Sequence, residues 1–446
     1  MSSTSPGYGI TIRVEGAPER QPVAQATTAI TNAGAAITAL DVAESTLELV
    51  VVDITCDTID AKHAQDICVE IEKNPGLKVR KVSDRTFLLH LGGKIEVNPK
   101  VPLKTRDDLS RAYTPGVARI SQAIAADPAD ARRLTIKRNT VAVVTDGSAV
   151  LGLGNIGPAA ALPVMEGKAA LFKRFADVDA WPVCIDSQDV DEIVRTVKLI
   201  APVYGGINLE DISAPRCFEI EAKLREILDI PVFHDDQHGT AIVVLAALKN
   251  ALKLVRKEIK NVKIVISGAG AAGTAIAKLL SISGATNILA FHRSGVAEIE
   301  GIDNHGFKGD LHEAIKGADV FIGVSAANVL SENDIKQMAI NSIVFALANP
   351  DPEIDPAIAR KYAAVVATGR SDQPNQINNV LAFPGIFRGL LDANAHKITD
   401  NLLVAAAEAI ANCVAPEQLN TNFIIPSVFD PNVAKEVAAA VKSASK

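Results

Sequence analysis

The chain is poor in cysteine, in aromatic residues and in clustered positive charge, and each shortage argues against a class of function. Its five cysteines, Cys56, Cys68, Cys184, Cys217 and Cys413, are odd in number and scattered, with no C-x-x-C pair. That pattern speaks against a disulfide framework or a zinc knuckle and fits a reducing compartment. The formal net charge is −7 and no Lys/Arg run stands out, so a nucleic-acid footprint is not expected. No apolar stretch approaches ~18 residues without a charge or a breaker, so no membrane span is expected. Residues 1–9 lack a charged start followed by an apolar run, which argues against a signal peptide and for a cytoplasmic protein. Aromatics make up only 4% of residues, while Ala, Val and Ile abound. Such a mix suits helices packed on parallel strands, whose two buried faces favour aliphatic runs.

What is present reads as several domains, since 446 residues exceed the ~100–200 of a single one. Residues 8–14 alternate like a half-buried strand. A helix over 21–32, strands over 36–42 and 47–54, a helix over 59–73 and a last strand over 82–91 follow. The order β-α-β-β-α-β is ferredoxin-like. Residues 1–91 resemble an ACT domain, a small regulatory module. That resemblance implies either a site for a small-molecule effector or a dimerisation module with no ligand. Residues 92–106, with Gly-Gly, prolines and alternating charge, read as a linker.

From residue 107 onward strands alternate with helices: strands at 141–145, 180–185 and 206–209, helices at 162–175 and 190–200, then a long helix at 240–257. The fold class expected is α/β, with two doubly wound parallel-sheet catalytic domains over residues 107–239 and 240–446.

The pattern G-x-G-x-x-G occurs twice, at Gly152, Gly154 and Gly157 and at Gly268, Gly270 and Gly273. A dinucleotide site needs a strand that ends at the first glycine and a helix that starts at once, so that backbone N–H groups face the pyrophosphate. The second copy fits, with a strand over 262–267 and a helix over 274–280, and makes the second domain a Rossmann NAD(P)-binding domain. In the first copy Pro158 and Pro163 are expected to delay the helix, leaving a tight loop beside a substrate pocket. The next strand of the second domain, 287–291, ends in His292-Arg293-Ser294 with no carboxylate for a ribose 2′-OH. Arg293 there leans towards NADP⁺, with an NAD⁺ site and a solvated arginine as the other reading.

Two acidic pairs follow apolar strands, Glu210-Asp211 and Asp235-Asp236. Clustered carboxylates suit Mg²⁺ or Mn²⁺, although acids in such places also cap helices. Lys168, among apolar neighbours near a helix start, is read either as partly desolvated, with a lowered pKa that suits a base, or as snorkelling to water. Tyr113, in a Tyr-Thr-Pro-Gly turn, offers a phenol proton, or simply packs on the turn.

These motifs together resemble the malic enzymes, in their short bacterial form, from about residue 107 to 426. The resemblance rests on Ala112-Tyr113-Thr114-Pro115-Gly116, Asp146-Gly147-Ser148, Leu151-Gly152-Leu153-Gly154, Glu166-Gly167-Lys168, Leu209-Glu210-Asp211 and Phe233-His234-Asp235-Asp236-Gln237-His238-Gly239. It implies metal-dependent oxidation and decarboxylation of L-malate to pyruvate and CO₂ with NAD⁺ or NADP⁺. It implies Tyr113 as the acid that protonates the enolate and Lys168 as the base for the malate hydroxyl. Glu210, Asp211 and Asp236 would hold the metal, with Asp235 close by, and Asn349 and Asn378 would lie near substrate and nicotinamide. A homodimer is implied as well. Longer family members carry an arginine for a malate carboxylate where this chain has Val150, which leaves Ser148 and Asn155 as weak substitutes. The competing readings are another NAD(P)-dependent oxidoreductase, such as an amino-acid dehydrogenase, and a catalytically silent effector-binding protein.

Overall fold

The computed structural model describes residues 4–150 and 152–445, so Leu151 of the Leu-Gly-Leu-Gly run lies outside the described residues. The chain forms two compact units, Met1–Glu96 and Val97–Lys446.

The first unit runs β1 (Ser5–Gly16), α1 (Pro22–Asn32), β2 (Ala36–Ser45), β3 (Val50–Thr58), α2 (Ala61–Glu72), β4 (Leu77–Asp84) and α3 (Arg85–His90). Its four-stranded antiparallel sheet has the order β2-β3-β1-β4. Ile10, Ile12 and Val14 alternate inward from β1 and meet Ile30 of α1 and Ile71 of α2 in one core. Here the expected last strand is displaced. β4 starts at Leu77 and has only that residue buried, because an edge strand with Lys78, Arg80 and Lys81 carries little hydrophobic signal. Asp84 then accepts from the N–H groups of Thr86 and Phe87 at 2.8 and 3.0 Å. That cap starts a helix where the sequence reading continues the strand.

The second unit opens with short surface helices, α4 (Arg106–Ala112), α5 (Val117–Ala126) and α6 (Asp130–Leu134). Thr105 and Asp108 close a capping box on α4, which fixes where the expected linker ends. A first sheet follows: β5 (Thr140–Thr145), α7 (Pro158–Ala176), β6 (Asp179–Cys184), α8 (Val190–Ile200), β7 (Gly206–Leu209), α9 (Arg216–Ile227) and β8 (Val232–His234). It is parallel, in the order β6-β5-β7-β8. The expected delay of α7 by its prolines does not occur. Pro158 takes the first helical position, where no N–H is needed, and Pro163 sits inside the helix.

A π-helical turn, Asp235–Gly239, leads directly into α10 (Thr240–Val255). The second sheet comes next, with β9 (Lys263–Ser267), α11 (Ala271–Ile282), β10 (Asn287–His292), β11 (Gly295–Val296), α12 (Leu311–Ile315), β12 (Val320–Gly323), α13 (Glu332–Lys336), β13 (Ile343–Ala346), α14 (Pro356–Ala359) and β14 (Val365–Thr368). Its order is β11-β10-β9-β12-β13-β14, parallel except for β11. The chain therefore winds outward from β9 in both directions.

Three last helices, α15 (Phe383–Ala393), α16 (Asp400–Asn412) and α17 (Val433–Ala444), return to the first sheet. Phe172 of α7 meets Phe383 and Phe387 edge-on at 4.7 and 5.3 Å, and Phe387 meets Phe233 of β8 at 5.9 Å. Such aromatic packing adds ~0.5–1.5 kcal/mol per pair to the area buried. One core thus joins both sheets. The stretch Asp235–Val255 proves long and apolar enough to cross a membrane, against the sequence expectation, but 67% of its apolar window is buried inside this core.

Candidate active site

Loops at the C-terminal edge of the first sheet carry the acids. Asp146 follows β5, Glu210 and Asp211 follow β7, and Asp235 and Asp236 follow β8. This is the edge at which open α/β sheets bind ligands. Asp211 takes a left-handed backbone, φ 53°, and its N–H donates to Asp236 Oδ2 at 2.9 Å. Ligand oxygens of Glu210, Asp211 and Asp236 all lie within 4.8 Å of one another.

Lys168 reaches the cluster from α7. Its Nζ is 2.5 Å from Asp235 Oδ2, 2.8 Å from Glu210 Oε1 and 4.2 Å from the centre of the Phe383 ring. Burial pushes the ammonium pKa down, but Asp235 and then Glu210 overcome it, and the net direction is up. The sequence expectation of a lowered pKa is therefore corrected. Burial sees only half of the environment, and the two carboxylates supply the rest.

The acids shift in the opposite sense to paired surface carboxylates. Burial raises Glu210, Asp211, Asp235 and Asp236, Lys168 opposes that rise, and their mutual repulsion adds to it. Asp211 is pushed up to about 8. Four carboxylates face one ammonium. Asp211 Oδ2 and Asp235 Oδ1 are buried with no hydrogen-bond partner among the described residues. Excess negative charge and orphaned carboxylate oxygens fit a hard divalent cation that takes oxygen ligands.

Two asparagines that the sequence reading passed over complete the cluster. Asn379 Nδ2 donates to Asp235 Oδ2 at 2.5 Å, and Asn208 Nδ2 donates to Glu210 Oε2 at 2.8 Å. Asn379 announces itself only by its neighbour Asn378, whose own Oδ1 caps the next turn by accepting from Val380 N–H at 2.9 Å. Asn208 sits inside an apolar strand, where a buried amide is a signal in its own right.

Other expected residues stand apart. Tyr113 is 68% exposed, and its hydroxyl makes no hydrogen bond to the cluster among the described residues. α4 and α5, on either side of it, bury no residue. Asn349 is exposed in the loop after β13. Ser148 Oγ is committed, donating to Asp146 Oδ1 at 2.5 Å and accepting from Ser213 N–H at 2.9 Å. Arg216 Nη2 holds the other oxygen of Asp146 at 2.8 Å. Asn155 is exposed and accepts from Gln188 at 3.2 Å. Val150 is buried, so the position of the absent arginine is an apolar one.

The two glycine motifs separate as expected. Gly152, Gly154 and Gly157 all have positive φ in a loop. At the second copy β9 leads into the turn and α11 begins at Ala271. Gly268 has φ 103°, and a Cβ on Gly273 would stand 2.0 Å from Gly268 O, while nothing lies within 4 Å of a Cβ on Gly270. The turn is thus closed on its inner side and open where a pyrophosphate would approach. Beside it a cavity of about 720 Å³ is lined by Gly268, Phe291, His292, Arg293, Ser294 and Ser325 among others. No carboxylate follows β10 directly, and Ser294 Oγ lies 2.8 Å from His292 Nδ1.

Comparison with known proteins places this geometry. The family described as "Malic enzyme, N-terminal domain" matches residues 92–225, and "Malic enzyme, NAD binding domain" matches residues 237–307 and 282–445. An NAD-dependent malic enzyme of Geobacillus stearothermophilus is 55% identical, over 98% of this chain and 94% of its own. An NADP-dependent malic enzyme of Rhizobium meliloti is 48% identical over 79% of this chain and 50% of its own. The crystal structure of an NAD-dependent malic enzyme from Thermotoga maritima superposes with a TM-score of 0.77 at 49% identity, covering 81% of this chain and 99% of that one.

Proposed function

This chain belongs to the malic enzyme family and performs its reaction, the oxidation of malate by NAD(P)⁺ with decarboxylation to pyruvate and CO₂; from that premise we propose how its residues divide the work. The observation that carries the proposal is the buried contact of Lys168 with Asp235 and Glu210, set beside the oxygens of Glu210, Asp211 and Asp236.

Glu210, Asp211 and Asp236 would hold a divalent cation, Mg²⁺ or Mn²⁺, which would supply Lewis acidity to the reaction. Lys168 passes its own proton to Asp235, 2.5 Å away, and its free amine then takes the proton of the C2 hydroxyl as hydride leaves C2 for the nicotinamide. Asp235 keeps Lys168 in place and is itself held by Asn379. After CO₂ departs, Tyr113 delivers a proton to C3 of the enolate. Its exposed position requires that the segment carrying it close over the cluster or be presented by a second copy of the chain. The exposed apolar side chains Val101, Leu103, Leu109, Val117 and Ile120 around it suit coverage of that kind, and we place the protein as a cytoplasmic homodimer.

Gly268, Gly270 and Gly273 cradle the pyrophosphate, Arg293 stands where a 2′-phosphate would lie, and Asn349 and Asn378 border the nicotinamide and substrate. The first unit is read as an ACT-like regulatory module for a small-molecule effector.

The test is the absorbance of reduced nicotinamide with L-malate, Mn²⁺ and either NAD⁺ or NADP⁺, with pyruvate quantified and a chelator control. Chelator-sensitive reduction with equal pyruvate is expected. Metal-independent reduction would overturn the carboxylate assignment. An Arg293→Ala variant that loses NADP⁺ turnover alone would show that Arg293 reads the 2′-phosphate, and equal losses with both cofactors would remove that role.

A further inference from the structure

The π-turn that carries Asp235 and Asp236 is held from behind by a carboxylate that the mechanism does not use. Glu221 lies on α9, 5% exposed. Its Oε1 accepts from the His234 backbone N–H at 3.0 Å. His238 Nε2 lies 3.0 Å from both of its oxygens, and Gln237 Nε2 donates to Oε2 at 3.4 Å. Arg225 Nη2 pairs with Oε1 at 2.8 Å, and its Nε donates to Val232 O at 3.1 Å, which ties the same group to β8.

Residues 234, 237 and 238 bracket Asp235 and Asp236. Every donor to Glu221 therefore comes from the strand and turn that aim those two acids, or from Arg225, which anchors that strand. A π-helical turn is wide and poorly closed by its own hydrogen bonds, so its shape depends on what packs against it. An apolar side chain at position 221 would fill the same space. A carboxylate adds directed acceptors that fix each donor's angle, as outer-shell partners do for metal ligands elsewhere.

We infer that Glu221 is a positioning residue for the cation and lysine site: with His238 and Arg225 it clasps the π-turn and sets where the carboxylates of Asp235 and Asp236 point. The inference rests on the cation assignment proposed above. It gives Glu221 no contact with substrate, cofactor or cation.

The experiment uses the full-length protein and measures Mn²⁺ binding by the electron paramagnetic resonance of free Mn²⁺, without malate. Binding of the reduced cofactor and the melting temperature are followed in parallel. Glu221→Gln is expected to weaken Mn²⁺ binding by about 10–100-fold and to raise the KM for malate, with cofactor affinity and melting temperature held. His238→Leu removes one donor and keeps the bulk, and is expected to shift Mn²⁺ affinity in the same direction by a smaller factor. If Glu221→Gln does not fold, His238→Leu decides. Wild-type Mn²⁺ affinity in a folded variant would overturn the clasp and leave the cation site standing. Equal losses of Mn²⁺ affinity, cofactor affinity and melting temperature would reduce Glu221 to general packing. A wild-type protein that binds no Mn²⁺ would overturn both the clasp and the site it serves.

Discussion

At Lys168 two carboxylates and a burial cost compete over the charge of one nitrogen, and the carboxylates win. Lys168→Ala should abolish turnover and leave binding of the reduced cofactor unchanged, as a fluorescence titration would read. Turnover near wild type would remove Lys168 from the chemistry. Tyr113→Phe should slow decarboxylation and ketonisation more than hydride transfer, seen by comparing malate oxidation with oxaloacetate decarboxylation; equal losses would end the proton-donor role. The acids give a pH prediction with a definite sign. Folding raises their pKa values, so at these four sites the folded state binds more protons than the unfolded chain, and their contribution to stability falls as pH rises from about 4 towards 8. A cation offsets this most where the acids are ionised. The rise in melting temperature on adding Mn²⁺ should therefore be larger near pH 8 than near pH 6, and a rise independent of pH would contradict the shifts. The acids were legible as pairs at strand ends, and Lys168 as a lysine among apolar neighbours on a helix. Asn379 and Glu221 were not legible, because their roles depend on contacts made 144 and 13 positions away in the chain.

Among the elements, α10 shows which features a linear pattern conveys. Its helical length is plain in the sequence though its apolar run is not. β5, β6, β7, β9 and β10 are plain too, because aliphatic runs bounded by turn residues leave few alternatives, whereas the short strands β12, β13 and β14 escape the sequence reading. The polar residue that locks α10 is not plain either. Asn250, fully inside the core, donates from Nδ2 to Ala411 O and Ile424 O, both at 2.9 Å, and so joins α10 to α16 and the segment after it. Asn250→Ala should strand Ile424 O, leave Ala411 O to the Val414 N–H at 3.3 Å, and cost about 1–3 kcal/mol, visible as a lower urea midpoint with an unchanged slope. A midpoint within error of wild type would mean that those carbonyls find other donors. β4 and α3 mark the opposite case. The edge strand is too polar to be read from periodicity, and one capping aspartate, Asp84, decides where it ends.

For the whole molecule, the sequence reading separated an N-terminal module from a catalytic part, and the structure cuts the chain near the same point. A protein truncated to Val97–Lys446 should keep basal turnover and lose any response to an effector, and loss of turnover on truncation would make the first unit part of the catalytic machinery. The sequence did not convey that α15 packs under the first sheet, since nothing in it names Phe172, which Phe383 and Phe387 meet on α7. That arrangement bears on how the protein is made. α10 is largely apolar and buried and packs on α16, which emerges from the ribosome roughly 145 residues and some 7–30 s later. Until then the helix that follows the π-turn has no partner to cover that side. The catalytic edge is thus among the last parts of the nascent chain to settle, and during that interval an apolar side of α10 stays open to water.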